Sequence, residues 1–193
     1  MILLMGLAGT GKKTIADAMI KQENRFKLAH HHAWIDPILK LLGDDESIWW
    51  SLDEKGWLAV NQACDVILNK IADVCPKESN FIITYDMLAN NPYHQDFFDK
   101  VCAVAKKRDA TLIPVRLTCQ LDELVNRVKD NQRAAYYKTR DINLIKKRFK
   151  EEQVFSSNSP QEYTLDTTTN LMPEDSARMI IQWVRGIQST SFS

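Results

Sequence analysis

Apolar and polar positions fall into short blocks along this chain, and the period changes from block to block. Ile2 to Met5 is an unbroken apolar run, the pattern of a strand buried on both faces. Gly6, Gly9 and Gly11 turn the chain, and from Lys13 the period becomes helical, with Ile15, Ala16, Met19 and Ile20 on one side. FKLAHHHAWIDP predicts a second strand ending near Ala29, and Pro37 is expected to open a helix, PILKLLG, that Gly43 stops. DDESIWWSLDEKG is acidic, aromatic and aperiodic, a surface excursion, before a long helix from Trp57 to Val74. FIITY is a strand by its aromatic and β-branched content, with Asp86 at its carboxyl end. A helix follows over about 95–108, then a strand in TLIPVRL, where Pro114 predicts an edge position or a bulge. CQLDELVNRV reads as a helix, NQRAAYYKTRD as a polar interruption and INLIKKRFKEEQ as helical again. EYTLD is the last strand, a helix runs from about Pro173 to Val184, and GIQSTSFS is expected to fray.

Strand and helix therefore alternate about five times. This predicts an α/β fold with a five-stranded, mainly parallel sheet and helices on both faces. One domain is expected over 1–185, with a lid at about 129–141 and a flexible tail over 186–193. Ligands in such folds bind beyond the carboxyl ends of the strands. GLAGTGKK, the histidine run, Asp86 and the region after Leu117 all fall at that end.

Bulk properties narrow the classes. The 193 residues suit one domain, and Lys+Arg and Asp+Glu are both 25, so net charge gives no push toward nucleic acid or membranes. No segment reaches transmembrane length, and the lysines of the opening stretch follow its apolar run, unlike those of a signal peptide. Cys64, Cys75, Cys102 and Cys119 form no C-x-x-C pair, which fits reduced thiols and a cytoplasmic location.

The candidate chemistry starts in GLAGTGKKT. Glycines without Cβ let successive backbone N–H groups turn inward, and the following helix adds its positive end. Lys12 then brings a full charge to bound phosphates. Lys13 stands where G-x-x-x-x-G-K-[ST] has a hydroxyl that would touch magnesium, and an ammonium cannot ligate a cation. Thr14 comes one residue later. The G-x-G-x-x-G of dinucleotide binding does not occur in this order, which disfavours hydride transfer.

The loop resembles that of the P-loop small-molecule and nucleotide kinases, among them the adenylate, shikimate and gluconate kinases. They share G-x-x-G-x-G-K-x-T, matched here at Gly6, Gly9, Gly11, Lys12 and Thr14, and adenylate-kinase-like members also lack a hydroxyl directly after the lysine. The resemblance implies a three-layer α/β/α fold with a short lid, and ATP-dependent phosphoryl transfer to a small hydroxylated metabolite, nucleoside or nucleotide. It implies ATP held by Gly6, Gly9, Thr10, Gly11, Lys12 and Lys13, and Mg2+ organised by Thr14 and Asp86. Arginines at the lid match Arg127, for the donor phosphates, and Arg133, for the transition state; Lys138 and Arg140 match loosely. Thr167 and Thr168 fall where related kinases pass near the adenine.

The acceptor side departs from that pattern. Related kinases often place a carboxylate after the second strand; here the place is taken by histidine, with Asp36 following. His32 and Asp36 are the candidates for orienting or deprotonating the acceptor, since imidazole titrates near neutrality. Three adjacent histidines on an extended strand would not all face one point, and a zinc site would need His32 to find partners beyond His94. Trp49, Trp50 and Trp57 would cap a ring-shaped acceptor or anchor a helical flap; the residues support both equally. Other functional readings are a P-loop NTPase working on a macromolecular partner and a catalytically inactive nucleotide-binding regulator. A small-molecule acceptor is the expected partner, without membrane or strong nucleic-acid signals, and a homodimer is compatible with the sequence.

Overall fold

The pleat of the first strand divides the molecule into two cores. In a computed structural model, which describes residues 1–131, 133, 137–168 and 172–190, β1 (Ile2–Met5) points Leu3 and Met5 to one face and Ile2 and Leu4 to the other. Side chains alternate across a strand, so a run apolar at every position needs cover on both faces. The cover comes from α2 (His31–Leu42), α4 (Glu54–Asp73) and α5 (Pro92–Lys107) on one side, and α1 (Lys12–Gln22) and α8 (Pro173–Thr190) on the other.

The remaining strands are β2 (Phe26–His30), β3 (Asn80–Tyr85), β4 (Ile113–Thr118) and β5 (Tyr163–Asp166). They pair with β1 in the order β2-β3-β1-β4-β5, and every pairing is parallel. This is the expected five-stranded α/β/α architecture. The helices that follow β1 and β3 lie on opposite faces although the two strands are neighbours. A crevice therefore opens between their carboxyl ends, the usual ligand position in such sheets. The short helix α3 (Ile48–Ser51) adds buried Ile48 to the first core, and α6 (Leu121–Val128) and α7 (Ile142–Glu151) pack around Leu7 at the carboxyl end of the sheet.

Several boundaries differ from the sequence expectation. Helix α2 begins at His31, six residues before Pro37, which lies inside it. Fully buried Ile35 and Leu39 fix that helix against the core, and this packing outweighs the hydrogen bond that the proline cannot make. Helix α4 begins at Glu54, where the Asp53 side chain accepts from the Gly56 N–H at 2.8 Å. Pro114 lies neither on an edge strand nor at a bulge, because β4 is paired on both sides. Backbone N–H groups alternate sides along a strand. Ile113 donates to Met1, so the Pro114 nitrogen faces away, where pairing with β5 starts only at Val115. Helix α8 continues to Thr190, through most of the stretch expected to fray, while 191–193 lie outside the described residues. Four residues of the expected lid, 132 and 134–136, also lie outside them. Among the described residues no helix is long and apolar enough to cross a membrane.

Candidate active site

The turn after β1 is held by contacts that only glycine permits. Gly6 has φ of 156°, and a Cβ there would lie 2.6 Å from the Leu117 carbonyl oxygen. Gly9 has φ of 93° and sits against Leu124 and Val128 of α6. Gly11 caps α1, whose first residue is Lys12. The Lys12 ammonium folds back across the loop, donating to the carbonyls of Gly6 at 2.6 Å and Leu7 at 2.9 Å. Burial lowers its pKa to about 8, against the opposing pull of Asp86. The hydroxyl of Thr10 donates to Leu7 at 2.9 Å and is buried, so this side chain closes the turn and leaves only its backbone for a ligand. Lys13 runs along α1 to Asp17, 2.7 Å away, while Thr14 is exposed; both border the same cavity.

That cavity, about 1110 Å³, lies at the carboxyl end of the sheet and is bordered by the phosphate-type loop, the histidine run, Asp86 and the lid. Lysines and arginines outnumber carboxylates along its wall, which suits an anionic ligand. Asp86, directly after β3, accepts from Arg148 of α7 at 3.1 Å. A third of its side chain is open, yet Oδ1 is buried without a protein partner. Burial pushes its carboxyl up, but Arg148 and Lys12 pull harder and hold it below the usual carboxylate range. The orphaned oxygen, the glycine-lined turn and the buried Lys12 together fit a phosphate ligand with an accompanying hard cation. Among the described residues no group of three His, Cys, Asp or Glu side chains could hold a metal alone. A magnesium ion here would depend on phosphate oxygens and water, with Thr14 and Asp86 as protein groups within the same cavity.

The second strand, expected to end near Ala29, runs one residue further, and the helix starts directly after it instead of at Pro37. His30 ends β2, whereas His31 and His32 open α2, and this change of period brings all three to the cavity. His30 meets the Thr84 hydroxyl at 2.6 Å, and burial lowers its pKa to about 3. His31 packs on Tyr85, ring centres 4.2 Å apart, and burial holds it well below the usual imidazole range. His32 Nδ1 lies 2.8 Å from Asp36 Oδ1. Asp36 is buried behind His32 and so reaches the cavity through it.

The cationic side is held by three segments. Arg127 of α6 donates to the Thr167 carbonyl at 2.7 Å and the Gly9 carbonyl at 3.5 Å, and pairs with Glu123 at 2.7 Å. Thr167 is buried, its hydroxyl donating to Thr118 at 2.9 Å; Thr168 binds Asp166 and accepts from the Gln120 N–H at 2.8 Å. Both threonines brace the loops and lie outside the described cavity wall. Arg133 donates to the Thr139 carbonyl at 3.0 Å and borders the cavity with Lys138, whose pKa burial lowers to about 8. The lid docks on the acidic excursion: Tyr137 donates to Gly43 at 3.0 Å, Trp49 to Tyr137 at 2.9 Å, and the Arg140 N–H to Glu46 at 3.0 Å.

Sequence reasoning missed Arg148. Its partners Asp86 and Glu152 are 62 and four residues away, and only the second spacing is visible as a helical i,i+4 pair. His94 and Asn91, which the turn after β3 brings to the cavity, carried no motif either.

No protein-family model matches the sequence, and no curated protein matches it. Solved structures do match in fold. A gluconokinase from Sinorhizobium meliloti 1021 superposes with a TM-score of 0.64 at 12% identity, covering 99% of this chain and 94% of that one. A shikimate kinase from Acinetobacter baumannii, in complex with shikimate, gives 0.54 at 18% identity over 96% and 92%. The Mycobacterium tuberculosis APS kinase CysC, in complex with AMPPNP and APS, gives 0.56 at 12% over 95% and 96%. The chain has the P-loop kinase fold.

Proposed function

We propose that this protein is an ATP-dependent phosphotransferase acting on a small hydroxylated metabolite, nucleoside or nucleotide. The observation that carries this reading is the gathering of Lys12, Asp86, Arg133 and Arg148 around one cavity at the crevice between β1 and β3. The fold relatives, small-molecule kinases by name, point the same way.

In this reading the loop amides and Lys12 hold the donor phosphates, and Lys12 exchanges its loop carbonyls for phosphate oxygens. Arg127 keeps the loop and the 167–168 segment together, and Arg133 neutralises charge on the transferred group. Thr14 and Asp86 would be the protein groups that hold Mg2+, which would supply charge neutralisation on the donor phosphates. Lys13, paired with Asp17, stays at the rim. A carboxylate only accepts, so Asp36 sets the proton of His32 on Nδ1 and leaves Nε2 as the acceptor. The substrate hydroxyl then gives its proton to Nε2 as its oxygen bonds to the γ phosphorus, and the bond to the β–γ bridging oxygen breaks to release ADP.

Acceptor-dependent ADP release, measured with magnesium over a panel of metabolites, nucleosides and nucleotides, tests the proposal. Turnover with one acceptor class and its loss in a folded Lys12→Ala variant is the expected outcome. Undiminished ATP affinity and turnover in that variant would remove the loop from the site.

A further inference from the structure

A second helix begins at the cavity. Helix α2 opens at His31 directly beyond β2, with no side chain capping it and no carboxylate in its first turn, so its positive end meets the cavity uncovered. Its N-cap residue, His30, borders the cavity and is only 9% exposed, yet its Nε2 is buried without a partner. His30 Nδ1 meets the Thr84 hydroxyl at 2.6 Å. Among the described residues that hydroxyl has no other hydrogen bond, and a buried donor left unmade is costly, so it donates to Nδ1. The ring hydrogen then sits on Nε2, and the orphaned atom is a donor.

Lys138 brings a charge to the same place. Tyr137, just before it, is anchored on Gly43 and Trp49, which holds this part of the lid at the β2–α2 side. Of the charges around His30, that of Lys138 acts on it most strongly. Arg133 and Lys13 oppose the Lys138 charge, whereas Asp36 and Asp17 favour it. Burial and the two cations outweigh the two carboxylates, so its pKa falls to about 8. Asp36 is engaged by His32, and Asp17 by Lys13. Backbone N–H groups, an imidazole N–H and an ammonium therefore meet where the nearby negative charge is already committed.

The donor loop does not account for this junction. β1 and β2 stand two places apart in the sheet, about 10 Å at the usual strand spacing, so one phosphate group cannot sit at the starts of both α1 and α2.

We infer that the start of α2, His30 Nε2 and Lys138 form a second anion site, which takes a carboxylate or phosphate group carried by the acceptor. This rests on the phosphotransferase reading and deepens it. The rings of His30 and His32 lie 5.5 Å apart, so a small acceptor presents its anionic group to the first while its hydroxyl meets the second.

The test loads the full chain with magnesium and the ATP analogue AMPPNP, which fills the donor site, and titrates inorganic phosphate and, separately, acetate. Tryptophan fluorescence reads binding, since Trp49 lies 6.4 Å from His32 and holds Tyr137 beside Lys138. A saturable response to either ion supports the site if Lys138→Met weakens it about tenfold or more and Lys138→Arg largely restores it. No response, an equal response in Lys138→Met, or a response that AMPPNP abolishes overturns the inference. Acceptors paired by charge, shikimate with its methyl ester and AMP with adenosine, then separate the two sources through acceptor-dependent ADP release with ATP. Turnover at least tenfold more efficient with a charged member, and an acceptor KM raised about tenfold in Lys138→Met, support the assignment. Preference for the neutral members overturns it and leaves the kinase reading standing. Failure to bind AMPPNP sinks the phosphotransferase reading itself. Anion binding beside AMPPNP without turnover of any acceptor refutes that reading too, and with it the assignment of the site to an acceptor.

Discussion

Replacing Arg148 with methionine keeps the bulk of the α7 side chain but strips Asp86 of its closest cation. Breaking a fully buried ion pair by removing one partner costs about 3–5 kcal/mol. Here the figure must be smaller, because a third of the Asp86 side chain is open and Lys12 still acts on it. The i,i+4 pairing of Arg148 with Glu152 is lost as well, worth only a few tenths of a kcal/mol. We expect a loss of about 2 kcal/mol, or roughly 4–8 °C in Tm for a chain of this size. The loss should depend on pH with a definite sign. Asp86 is held below its unfolded value, so its contribution is present above about pH 4 and disappears as pH falls through the lowered folded value. In Arg148→Met burial acts with less opposition, so the carboxyl titrates higher and the variant is relieved by protonation. The gap in Tm between the two proteins should therefore be widest near pH 7 and narrow toward pH 4. Thermal unfolding without nucleotide, followed by circular dichroism across that range, measures it. A gap independent of pH would mean that α7 packing, not the Asp86 charge, is what Arg148 supports.

Lys12, with its pKa near 8 in the free protein, should be pushed back up by bound phosphates, so ATP binding at pH 8.5 should take up protons. Titration calorimetry in buffers of different ionisation heat reads that uptake; none at pH 8.5 in the wild type would contradict the contact. Thr14→Ala should lower magnesium-dependent turnover more than it lowers binding of metal-free ATP, and a metal dependence like the wild type's would take Thr14 out of the site. Lys13→Ser gives up only a half-exposed pair with Asp17, worth less than about 1 kcal/mol, and should leave turnover within threefold.

Much of the scaffold was legible in the chain because local patterning and burial agree there. ILLM is apolar at every position and lies in the middle of the sheet; GLAGTGKKT needs its glycines for the φ values and close approach it adopts. The order of strands and helices followed from the alternation of periods. Errors came where long-range packing overrode a local signal. Pro37 marks a helix start by its chemistry, yet Ile35 and Leu39 hold it inside α2, and that shift turned the histidine run from a strand end into a strand–helix junction.

Determined by sequence alone were the phosphate-type loop, the parallel α/β class and the presence of Asp86 at a strand end. What only the tertiary structure decided are the partners of those residues. Arg148 finds Asp86 across 62 residues, the lid docks on an acidic segment some 90 residues before it, and the Lys12 ammonium turns back on its own loop. Periodicity reports which face of an element is buried, but not which element will cover it. The charge balance of the site depends on that second choice, made by the crossover between β1 and β3 and by the packing of α7 at their carboxyl ends.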